Sequence, residues 1–337
     1  MKAIVKIVVL NWNGRMQLEQ FMPSVIASVP DNVEVIVADN GSTDDSIAFL
    51  GRYYPRVRII AMSENLGYAG GYNEALKKIE TDYFVLLNSD VETPQGWLEP
   101  LIALAESDPS IAAASPKIHS LKQRGHFEYA GAGGGFIDRY GYPFCRGRIL
   151  STIEEDKGQY DTTREVFWAS GACLLVRADV FRELGGFDAA FFAHMEEIDF
   201  CWRAQLKGYS IMVCTESIVY HLGGGTLPNN TPHKIYLNYR NNLSMLYKNL
   251  PERNFKWILF ARMILDGMSA TLFLLQGRWL FVKAVWRAHR DYNRRKEELA
   301  GIRTEIQLTV KRESKHIYPH SILLRYFLWR KTFGRIF

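Results

Sequence analysis

The sequence predicts an α/β fold with a Rossmann-like, mostly parallel sheet flanked by helices, followed by a region of amphipathic helices. Over the first 120 residues, short apolar runs alternate with stretches of helical spacing, which is typical of a parallel sheet with crossover helices. The chain has 337 residues, 47% of them hydrophobic, and is long enough for a sizeable core. From residue 251 onward it becomes basic and rich in Trp, Phe and Leu.

Four strand-and-helix units are predicted first. The strands are AIVKIVVL, VEVIVA, VRIIAM and DYFVLLN, and the helices that follow them lie in GRMQLEQFMPSVIAS, DNGSTDDSIAFLGRYY, NLGYAGGYNEALKKI and WLEPLIALAESD. Between Ile111 and Gln159 the pattern loosens, and loop with short strands is expected. Further on, VFWASGACLLVRADVFRELGGF predicts a strand and a short helix, HMEEIDFCWRAQLKGY a helix with an acidic first turn, and IMVCTESIVYHLGGGTL a strand that leads into a glycine loop.

Short segments rich in polar residues and glycine follow each of the first four predicted strands. They are Asn11, Trp12, Asn13 and Gly14; then Asp39, Asn40, Gly41 and Ser42; then Asn65, Leu66 and Gly67; and finally Asn88, Ser89 and Asp90. Because ligands bind beyond the carboxyl ends of parallel strands, these groups should share one rim of the sheet. Each is also ordinary turn chemistry, but four such groups on one rim favour a binding site.

Asp90 is a candidate metal ligand because it follows an apolar strand on this rim. Mg²⁺ and Mn²⁺ often take few protein ligands and complete their shell with substrate phosphates and water. His221 follows another apolar run, and an imidazole in the same site would suit Mn²⁺ as well as Mg²⁺. The alternative is a structural histidine, with Gly223, Gly224 and Gly225 after it allowing close backbone approach.

The segment HMEEID begins a predicted helix with acidic residues. The helix dipole favours acidic side chains there, which is the structural alternative. Asp199 and Arg203 are four residues apart and can pair on one face. This leaves Glu196 and Glu197 directed elsewhere, and one of them could take a proton from a substrate hydroxyl as a general base.

Taken together, the segments resemble an inverting glycosyltransferase of family 2 with the GT-A fold, most like its bacterial rhamnosyltransferase branch. The resemblance covers about residues 4–250. It rests on the order and spacing of IVVLNWNG, VIVADNGSTDDS, NLGYAGGYNEAL, VLLNSDVE, SGACLLVRADVFRELGGFDAAFF, EEIDFCWR and VYHLGGGT.

The resemblance implies roles for the matching positions. NSD stands in the Asp-x-Asp slot of the family, with Asn88 in place of the first Asp, so Asp90 would bind a metal together with His221. EEID matches the Glu-Asp motif, which points to Glu197 as the catalytic base and leaves Glu196 as its rival. The implied nucleotide-sugar contacts are Asn11, Asn13, Asp39, Asn65, Gly67, Asn73, Asn88, Ser89 and Asp90. The implied acceptor or sugar contacts are Trp168, Gly171 and Ala172.

For such a protein, the expected reaction moves a sugar from a nucleoside-diphosphate donor to a hydroxyl group by metal-assisted single displacement. The implied donor is dTDP-rhamnose, the acceptor a lipid-linked or cell-surface polysaccharide intermediate, and the cofactor Mn²⁺ or Mg²⁺. A UDP-hexose or galactofuranose donor and a polyprenyl-phosphate acceptor are alternatives within the family. Two alternatives lie outside the family. One is a nucleotidyltransferase, which needs a glycine-rich loop with Arg and Lys after the first strand; the other is a non-catalytic nucleotide-sugar-binding scaffold.

Charge divides the chain unevenly. Residues 251–337 hold 18 Lys and Arg against 7 Asp and Glu, a net charge of +11, and the total is +5, so residues 1–250 carry −6. Basic side chains mixed with aromatic and aliphatic ones suit helices that lie on an anionic membrane surface. The alternative is a helical subdomain with a basic face. The longest charge-free piece, Gly267 to Gly277, is too short to span a bilayer, and Arg262 and Asp266 interrupt any longer window.

These patterns predict the organisation of the protein. Residues 1–250 are expected to form the catalytic domain, with a nucleotide-sugar half at about 1–120 and an acceptor half at about 121–250, and residues 251–337 a membrane-associating region. No signal peptide is evident, and four cysteines without metal-binding spacing are expected to stay reduced. The predicted location is cytoplasmic, peripheral to the inner face of the cell membrane. No nucleic-acid partner is expected, since no known nucleic-acid motif occurs.

Overall fold

The structure, a computed structural model, describes residues 3–223, 231–329 and 332–336. Its strands are β1 (Val5–Asn11), β2 (Glu34–Asp39), β3 (Arg58–Ala61), β4 (Tyr83–Asn88), β5 (Val91–Glu92), β6 (Ile111–Ser120), β7 (Gly135–Asp138), β8 (Pro143–Cys145), β9 (Arg148–Ile149), β10 (Thr152–Ile153), β11 (Arg164–Glu165), β12 (Cys173–Arg177), β13 (Ser210–His221) and β14 (Ile317–Tyr318). Of the predicted glycine loop after His221, Gly224 and Gly225 lie outside the described residues.

The helices surround these strands. They are α1 (Arg15–Ser28), α2 (Ser46–Tyr53), α3 (Gly67–Leu76), α4 (Leu98–Ser107), α5 (Ala178–Glu183), α6 (Glu196–Leu206), α7 (Pro232–Asn249), α8 (Phe255–Leu275), α9 (Trp279–Arg294), α10 (Lys296–Leu308), α11 (Ile322–Trp329) and α12 (Phe333–Ile336). A short 3₁₀ helix at Ala189–Phe191 precedes α6.

Among the described residues, the large sheet has the strand order β11, β13, β6, β12, β4, β1, β2, β3, with β5 paired to β13. Strands β3, β2, β1 and β4 are parallel to one another. Strand β12 is antiparallel to β4 and β6, whereas β6 and β13 are parallel. The predicted α/β fold with a mostly parallel sheet flanked by helices is therefore confirmed.

Both faces of the large sheet are covered. Successive strand side chains point to opposite faces, so Val8 of β1 joins one apolar cluster and Val9 joins the other. Helix α1 packs on the Val9 side through Leu18, and α3 and α6 pack on the Val8 side through Tyr72 and Trp202. Burial on both faces explains why the strands read as continuous apolar runs. The carboxyl ends of the strands are left as the rim on which ligands can bind.

The carboxyl-terminal region packs into the same core. Tyr292 of α9 and Leu299 of α10 belong to the apolar cluster that holds α3 and α6. Strand β14 extends the small sheet β10-β9-β8-β7-β14 by pairing with β7. The backbone N–H of Ile322 donates to Asp138 at 2.9 Å, which fastens α11 to that sheet. The division of the chain after residue 250 stays a prediction.

The expectation that Arg262 and Asp266 interrupt any apolar window long enough to span a bilayer is wrong. Helix α8 is long and apolar enough, by length and composition, to cross a membrane. Arg262 and Asp266 do not interrupt this helix as an apolar element, because most of its other side chains are apolar. In the structure the two side chains pair with each other at 2.8 Å, and both are buried.

Candidate active site

A cavity of about 400 Å³ opens at the carboxyl ends of β1 and β4. It is also bordered by the start of α3, the start of α6 and the end of β13. Its polar and charged lining residues include Asn40, Asn65, Asn88, Ser89, Asp90, Lys122, Glu128, Ser170, His194, Glu196, Glu197, His221 and Lys234. Since these residues come from distant parts of the sequence, the fold assembles the site.

Asp90 and His221 meet at this cavity, as predicted. Nε2 of His221 lies 3.1 Å from Oδ1 of Asp90, and Nδ1 lies 3.3 Å from Oε2 of Glu128. All three residues are buried. Burial lowers the pKa of His221, but its interactions with Asp90 and Glu128 outweigh burial and raise that pKa to about 10. The two carboxylates therefore favour a positive charge between them.

The donor atoms of this cluster fit a divalent cation. Two ligands at adjacent corners of an octahedral Mg²⁺ or Mn²⁺ site, each about 2.1 Å from the metal, lie about 3 Å apart. Nε2 of His221 and Oδ1 of Asp90 lie 3.1 Å apart, which matches this spacing and is also a hydrogen-bond distance, so a metal would replace the proton between them. In the part of the chain that is described, no group of three or more His, Cys, Asp or Glu side chains could hold a metal ion by itself. Substrate and water oxygens would have to complete the shell.

Glu128 is a member of the cluster that the sequence did not reveal. A metal-binding histidine usually donates its second ring N–H to a carboxylate or carbonyl group, which fixes the ring orientation. Oε2 of Glu128 lies 3.3 Å from Nδ1 of His221, close enough for an ion pair, and Nδ1 makes no hydrogen bond among the described residues. The Glu128 carboxylate is held by the backbone N–H of Ala130. Glu128 lies between β6 and β7, outside any strand or helix, so no periodicity or motif marked it.

Glu196 and Glu197 both line the cavity from the first turn of α6. Oε2 of each is buried and has no hydrogen-bond partner among the described residues. Burial raises the pKa of both: well above the ordinary value for Glu196, where the charge of Glu197 adds to the effect, and to about 7 for Glu197. Asp199 instead accepts a hydrogen bond from Nε of Arg203 at 2.8 Å, which confirms their predicted pairing.

Two further cavity residues were missed although they lie inside quoted motifs. Burial, Lys234 and His233 lower the pKa of His194 to about 4, so its imidazole is neutral at physiological pH. The hydroxyl of Tyr68 donates to the carbonyl oxygen of Gly171 at 2.6 Å. Their neighbours in HMEEID and NLGYAGG were the signal that could have found them. Lys234 on α7 had no comparable signal.

Besides Asp90, six of the implied nucleotide and sugar contacts line the cavity. They are Asn65, Gly67, Asn88, Ser89, Gly171 and Ala172. Gly67 has φ +72°, and a Cβ there would lie 2.4 Å from the carbonyl oxygen of Phe192, so only glycine fits. Oδ1 of Asn65 accepts a hydrogen bond from the Gly67 N–H at 2.9 Å. This turn at the start of α3 forms one wall of the cavity.

Three implied nucleotide contacts do not line the cavity. Nδ2 of Asn11 donates to Oδ2 of Asp39 at 2.9 Å, and Oδ1 of Asp39 accepts from the backbone N–H of Ser42 at 2.9 Å. Oδ1 of Asn13 accepts from the backbone N–H of Thr43 at 2.7 Å. These bonds brace the rim at the ends of β1 and β2. A role in binding the nucleotide stays a prediction for Asn11, Asn13 and Asp39.

Asn73 and Trp168 are also separate from the cavity lining. The Asn73 amide bonds both backbone groups of Phe187, donating to the carbonyl oxygen at 2.7 Å and accepting from the N–H at 2.9 Å. Trp168 is 3% exposed, and its indole N–H donates to the carbonyl oxygen of Phe136 at 2.9 Å. These contacts give both side chains a packing role, and a part in binding the nucleotide or a sugar stays a prediction for Asn73 and Trp168.

Comparison with known proteins relates this site to a family. Residues 6–185 match the family described as glycosyl transferase family 2. Over 242 residues, 67% of this chain and 78% of the relative, the chain is 28% identical to the N-acetylglucosaminyl-diphospho-decaprenol L-rhamnosyltransferase of Mycobacterium tuberculosis (strain ATCC 25618 / H37Rv).

Two solved structures share the fold. GalNAc-T7 with UDP, GalNAc and Mn²⁺ superposes with a TM-score of 0.57 at 16% identity, over 73% of this chain and 48% of that chain. The present chain thus spans about half the length of that protein. Residues 1–349 of S. aureus TarS in complex with UDP-GlcNAc give a TM-score of 0.56 at 15% identity, over 90% of both chains. These likenesses confirm the predicted fold class.

Proposed function

Because the chain belongs to glycosyl transferase family 2, and is therefore a glycosyltransferase, we propose that it transfers a sugar from a nucleoside-diphosphate donor to an acceptor hydroxyl with inversion at the anomeric carbon. The observation that carries this proposal is that Asp90, His221 and Glu197 line one cavity. A cation-binding pair and a buried carboxylate are the two groups that a single displacement needs.

The proposed donor is dTDP-rhamnose and the proposed acceptor a lipid-linked or cell-surface polysaccharide intermediate. The mycobacterial relative supports the rhamnose and the lipid-linked acceptor, since its name describes a rhamnosyltransferase that acts on a lipid diphosphate-linked sugar. A UDP-hexose or galactofuranose donor is the alternative. A polyprenyl-phosphate acceptor is less well supported, because a phosphate needs no strong base, whereas Glu197 lies in the cavity with its pKa raised to about 7.

Oδ1 of Asp90 and Nε2 of His221 would hold the divalent metal, Mn²⁺ or Mg²⁺. Bound there, the metal would stabilise the negative charge that develops on the departing nucleoside diphosphate. Glu128 would hold the His221 ring through its ion pair with Nδ1, at 3.3 Å, so that Nε2 faces Asp90. Asn88, in place of a first Asp, leaves this site with one carboxylate fewer than the usual motif.

Glu197 would take the proton from the acceptor hydroxyl. A base works best when its pKa is close to the working pH, and the pKa of Glu197 is raised to about 7. Glu196, with its pKa raised further, would stay protonated and serve as a hydrogen-bond donor. The hydroxyl oxygen then attacks the anomeric carbon opposite the leaving group, and one displacement inverts the configuration without an enzyme nucleophile.

We further propose that α8 rests on the cytoplasmic face of the cell membrane. The charged pair of this helix, Arg262 and Asp266, is buried, while its exposed side chains are mostly apolar, with Lys256 and Thr271 as exceptions. The exposed stripe, with the three- and four-residue spacing of one helix face, consists of Trp257, Phe260, Ile264, Met268, Leu272 and Leu275. In water such a stripe is costly, whereas helices in lipid turn charges inward and apolar side chains outward.

Charge and aromatic residues around this stripe support an anionic bilayer as its partner. Trp257, Trp279 and Trp286 are each 62% exposed, and tryptophan prefers the membrane–water interface. The basic carboxyl-terminal region complements anionic lipid headgroups. Because the other side of α8 packs on the protein, the helix would lie in the interface rather than cross the bilayer. A lipid-linked acceptor would be presented at the same surface.

A donor screen tests the proposed reaction. The full chain with Mn²⁺ is incubated with dTDP-, UDP- and GDP-sugars and a lipid diphosphate-linked N-acetylglucosamine, and release of nucleoside diphosphate and the glycosylated lipid are measured. We expect dTDP-rhamnose to give the highest kcat/KM and a product of inverted configuration. Turnover with none of the donors would overturn the proposed function, and a product of retained configuration would overturn the mechanism.

A further inference from the structure

The backbone directly before Glu196 is strained. Phe192, His194 and Met195 have φ values of 66°, 71° and 74°, and none is glycine. At Phe192 the N–H of Ala193 bonds the carbonyl oxygen of Phe191 at 2.8 Å, with φ 66° and ψ −63°, which is the rare and strained classic γ-turn. Such conformations persist only where the surroundings hold them, and they cluster at functional sites.

A buried amide on α7 bonds three carbonyl groups of this segment, and the neighbouring Arg240 donates from Nη2 to the carbonyl oxygens of Ala190 and Phe191 at 2.8 and 3.1 Å. Asn241 is 0% exposed. Its Nδ2 donates to the carbonyl oxygens of Phe191, Ala193 and His194 at 2.9, 3.0 and 2.8 Å. Its Oδ1 accepts from Nε and Nη2 of Arg240 at 2.9 and 2.8 Å, which fixes the amide with its NH₂ group toward the strained turn.

The other side of the turn rests on the predicted nucleotide wall. The carbonyl oxygen of Phe192 accepts a hydrogen bond from the N–H of Ala69 at 3.1 Å. Gly67 packs so closely against Phe192 that a Cβ would lie 2.5 Å from the Phe192 ring. The turn is therefore held between α3 and α7, and α6 starts immediately after it with Glu196 and Glu197.

We propose that Asn241 is a positioning residue, whose amide holds the strained turn at residues 191–195 so that Glu196 and Glu197 face the cavity. Without this amide, three carbonyl groups lose a donor, and the three left-handed residues can relax toward ordinary φ values. The start of α6 then shifts relative to Asp90 and His221. The inference rests on the proposed function, because the residue displaced by this movement of α6 is the proposed catalytic base, Glu197.

The neighbouring Asn242 supplies a matched control. It is 2% exposed, and its amide donates to Gly141 and accepts from Arg262, at 2.6 and 2.8 Å. Among the described residues it bonds no backbone carbonyl of the turn; its contact there is with Sδ of Met195, at 3.9 Å. Asn242→Ala therefore removes a buried amide of the same helix and leaves the hydrogen bonds of Asn241 to the turn in place.

The test compares Asn241→Ala, Asn242→Ala and the full wild-type chain. We expect Asn241→Ala to lower kcat about 100-fold, the size of effect that a misplacement of about 1 Å can have. The affinity for nucleoside diphosphate with Mn²⁺, measured by calorimetry, should fall by a clearly smaller factor than kcat, because Asp90 and His221 lie outside the turn and only the Gly67 wall touches it. Asn242→Ala should keep kcat within about threefold of wild type, even where its Tm falls as far as that of Asn241→Ala. Equal losses of kcat in both variants, or wild-type kcat in Asn241→Ala, would overturn the inference.

Hydrogen exchange keeps the inference testable even without turnover. The amides of residues 192–196 should exchange at least about tenfold faster in Asn241→Ala than in Asn242→Ala or wild type, since release of the turn opens them. Unchanged exchange of these amides would overturn the proposal that Asn241 holds the turn. A wild-type chain that turns over no donor would overturn the proposed function alone, because the exchange result does not depend on a substrate.

Discussion

Two adjacent glutamates reach the same cavity in different ionisation states. Burial opposes the charge on both, but it raises the pKa of Glu197 only to about 7, whereas that of Glu196 rises further because Glu197 lies beside it. Glu197 can therefore exchange a proton near neutral pH, whereas Glu196 keeps its proton. The sequence order EEID alone could not rank them.

We predict that kcat rises with pH through about 7, since only the ionised form of Glu197 accepts a proton. Below that pH, kcat should fall about tenfold per pH unit. A pH–rate profile with saturating donor measures this directly. A profile that stays flat down to about pH 5 would mean that the base has the pKa of an ordinary carboxyl group and is not Glu197.

The same titration should appear in stability. A carboxyl group whose pKa is raised from 4.5 to about 7 on folding binds its proton more tightly in the folded state. Stability is therefore fully present below the unfolded pKa and falls as the pH rises through 7, by about 1.4 kcal/mol per unit of pKa shift. We expect Glu197→Gln to raise the Tm above wild type at about pH 8 and to leave it unchanged at about pH 4. Equal differences in Tm at both values would refute this.

Glu128 gives a prediction about the proposed metal site. If it holds the His221 ring, Glu128→Gln should weaken the affinity for Mn²⁺ about 10- to 100-fold, the usual effect of losing such a partner. Calorimetry in the presence of nucleoside diphosphate measures it. Glu92→Gln is the matched control, because Glu92 follows Asp90 closely but pairs with Arg124 at 2.7 Å. Equal Mn²⁺ affinities in the two variants would contradict this role for Glu128.

At the scale of elements, the regular parts of the chain could be predicted and the irregular ones could not. The first four strands and the helices α1 to α4 carry clear apolar periods, and they form where predicted. Strand β6 lies at the centre of the large sheet, but its sequence IAAASPKIHS is rich in Ala and contains Pro116, so it gave no strand signal. The small sheet has the same difficulty, since its strands have two to four residues.

A buried carboxylate, Asp138, links α11 to the small sheet, in addition to the hydrogen bond of Tyr326 with Thr152. Asp138 accepts hydrogen bonds from the backbone N–H groups of Tyr140, Tyr142 and Ile322, each at 2.9 Å. We predict that Asp138→Ala releases α11, because the Ile322 N–H loses its acceptor, and that limited proteolysis then cuts after residue 318 faster than in wild type. Glu216→Ala, at an exposed position, is the control. Identical cleavage rates would show that α11 is held without Asp138.

At the scale of the whole molecule, the carboxyl-terminal region is both part of the core and the source of an exposed apolar face. The sequence revealed its charge and its apolar content, but not which side of α8 faces outward. That orientation follows from the burial of Arg262 and Asp266, with His289 of α9 placing Nε2 3.0 Å from Oδ2 of Asp266. An ion pair that reads as an interruption in the sequence is an internal contact in the fold.

The exposed stripe leads to a prediction about membranes. The triple variant Trp257→Ser, Phe260→Ser, Ile264→Ser should bind vesicles of phosphatidylglycerol and phosphatidylcholine at least about tenfold more weakly than wild type, since it loses buried apolar area. Co-sedimentation measures binding, with phosphatidylcholine vesicles as the uncharged comparison.

A matched triple variant changes exposed apolar residues on α1 and α2, at Met16, Ile47 and Tyr53. It should bind vesicles as wild type does. Equal vesicle binding by all three proteins would contradict a membrane-facing α8. If instead the wild-type chain dimerises and the α8 variant is monomeric, the stripe is covered by a second copy.

The central claim is that Glu197 acts as the general base, in a cavity that also contains the proposed metal-binding pair, Asp90 and His221. One comparison tests it most directly. Single-turnover rates of Glu197→Gln and Glu196→Gln are measured with the preferred donor, its lipid-linked acceptor and Mn²⁺. We predict a rate loss of about 100-fold or more for Glu197→Gln, with donor affinity unchanged, and a much smaller loss for Glu196→Gln, whose amide still donates a hydrogen bond. A wild-type rate in Glu197→Gln would contradict the account.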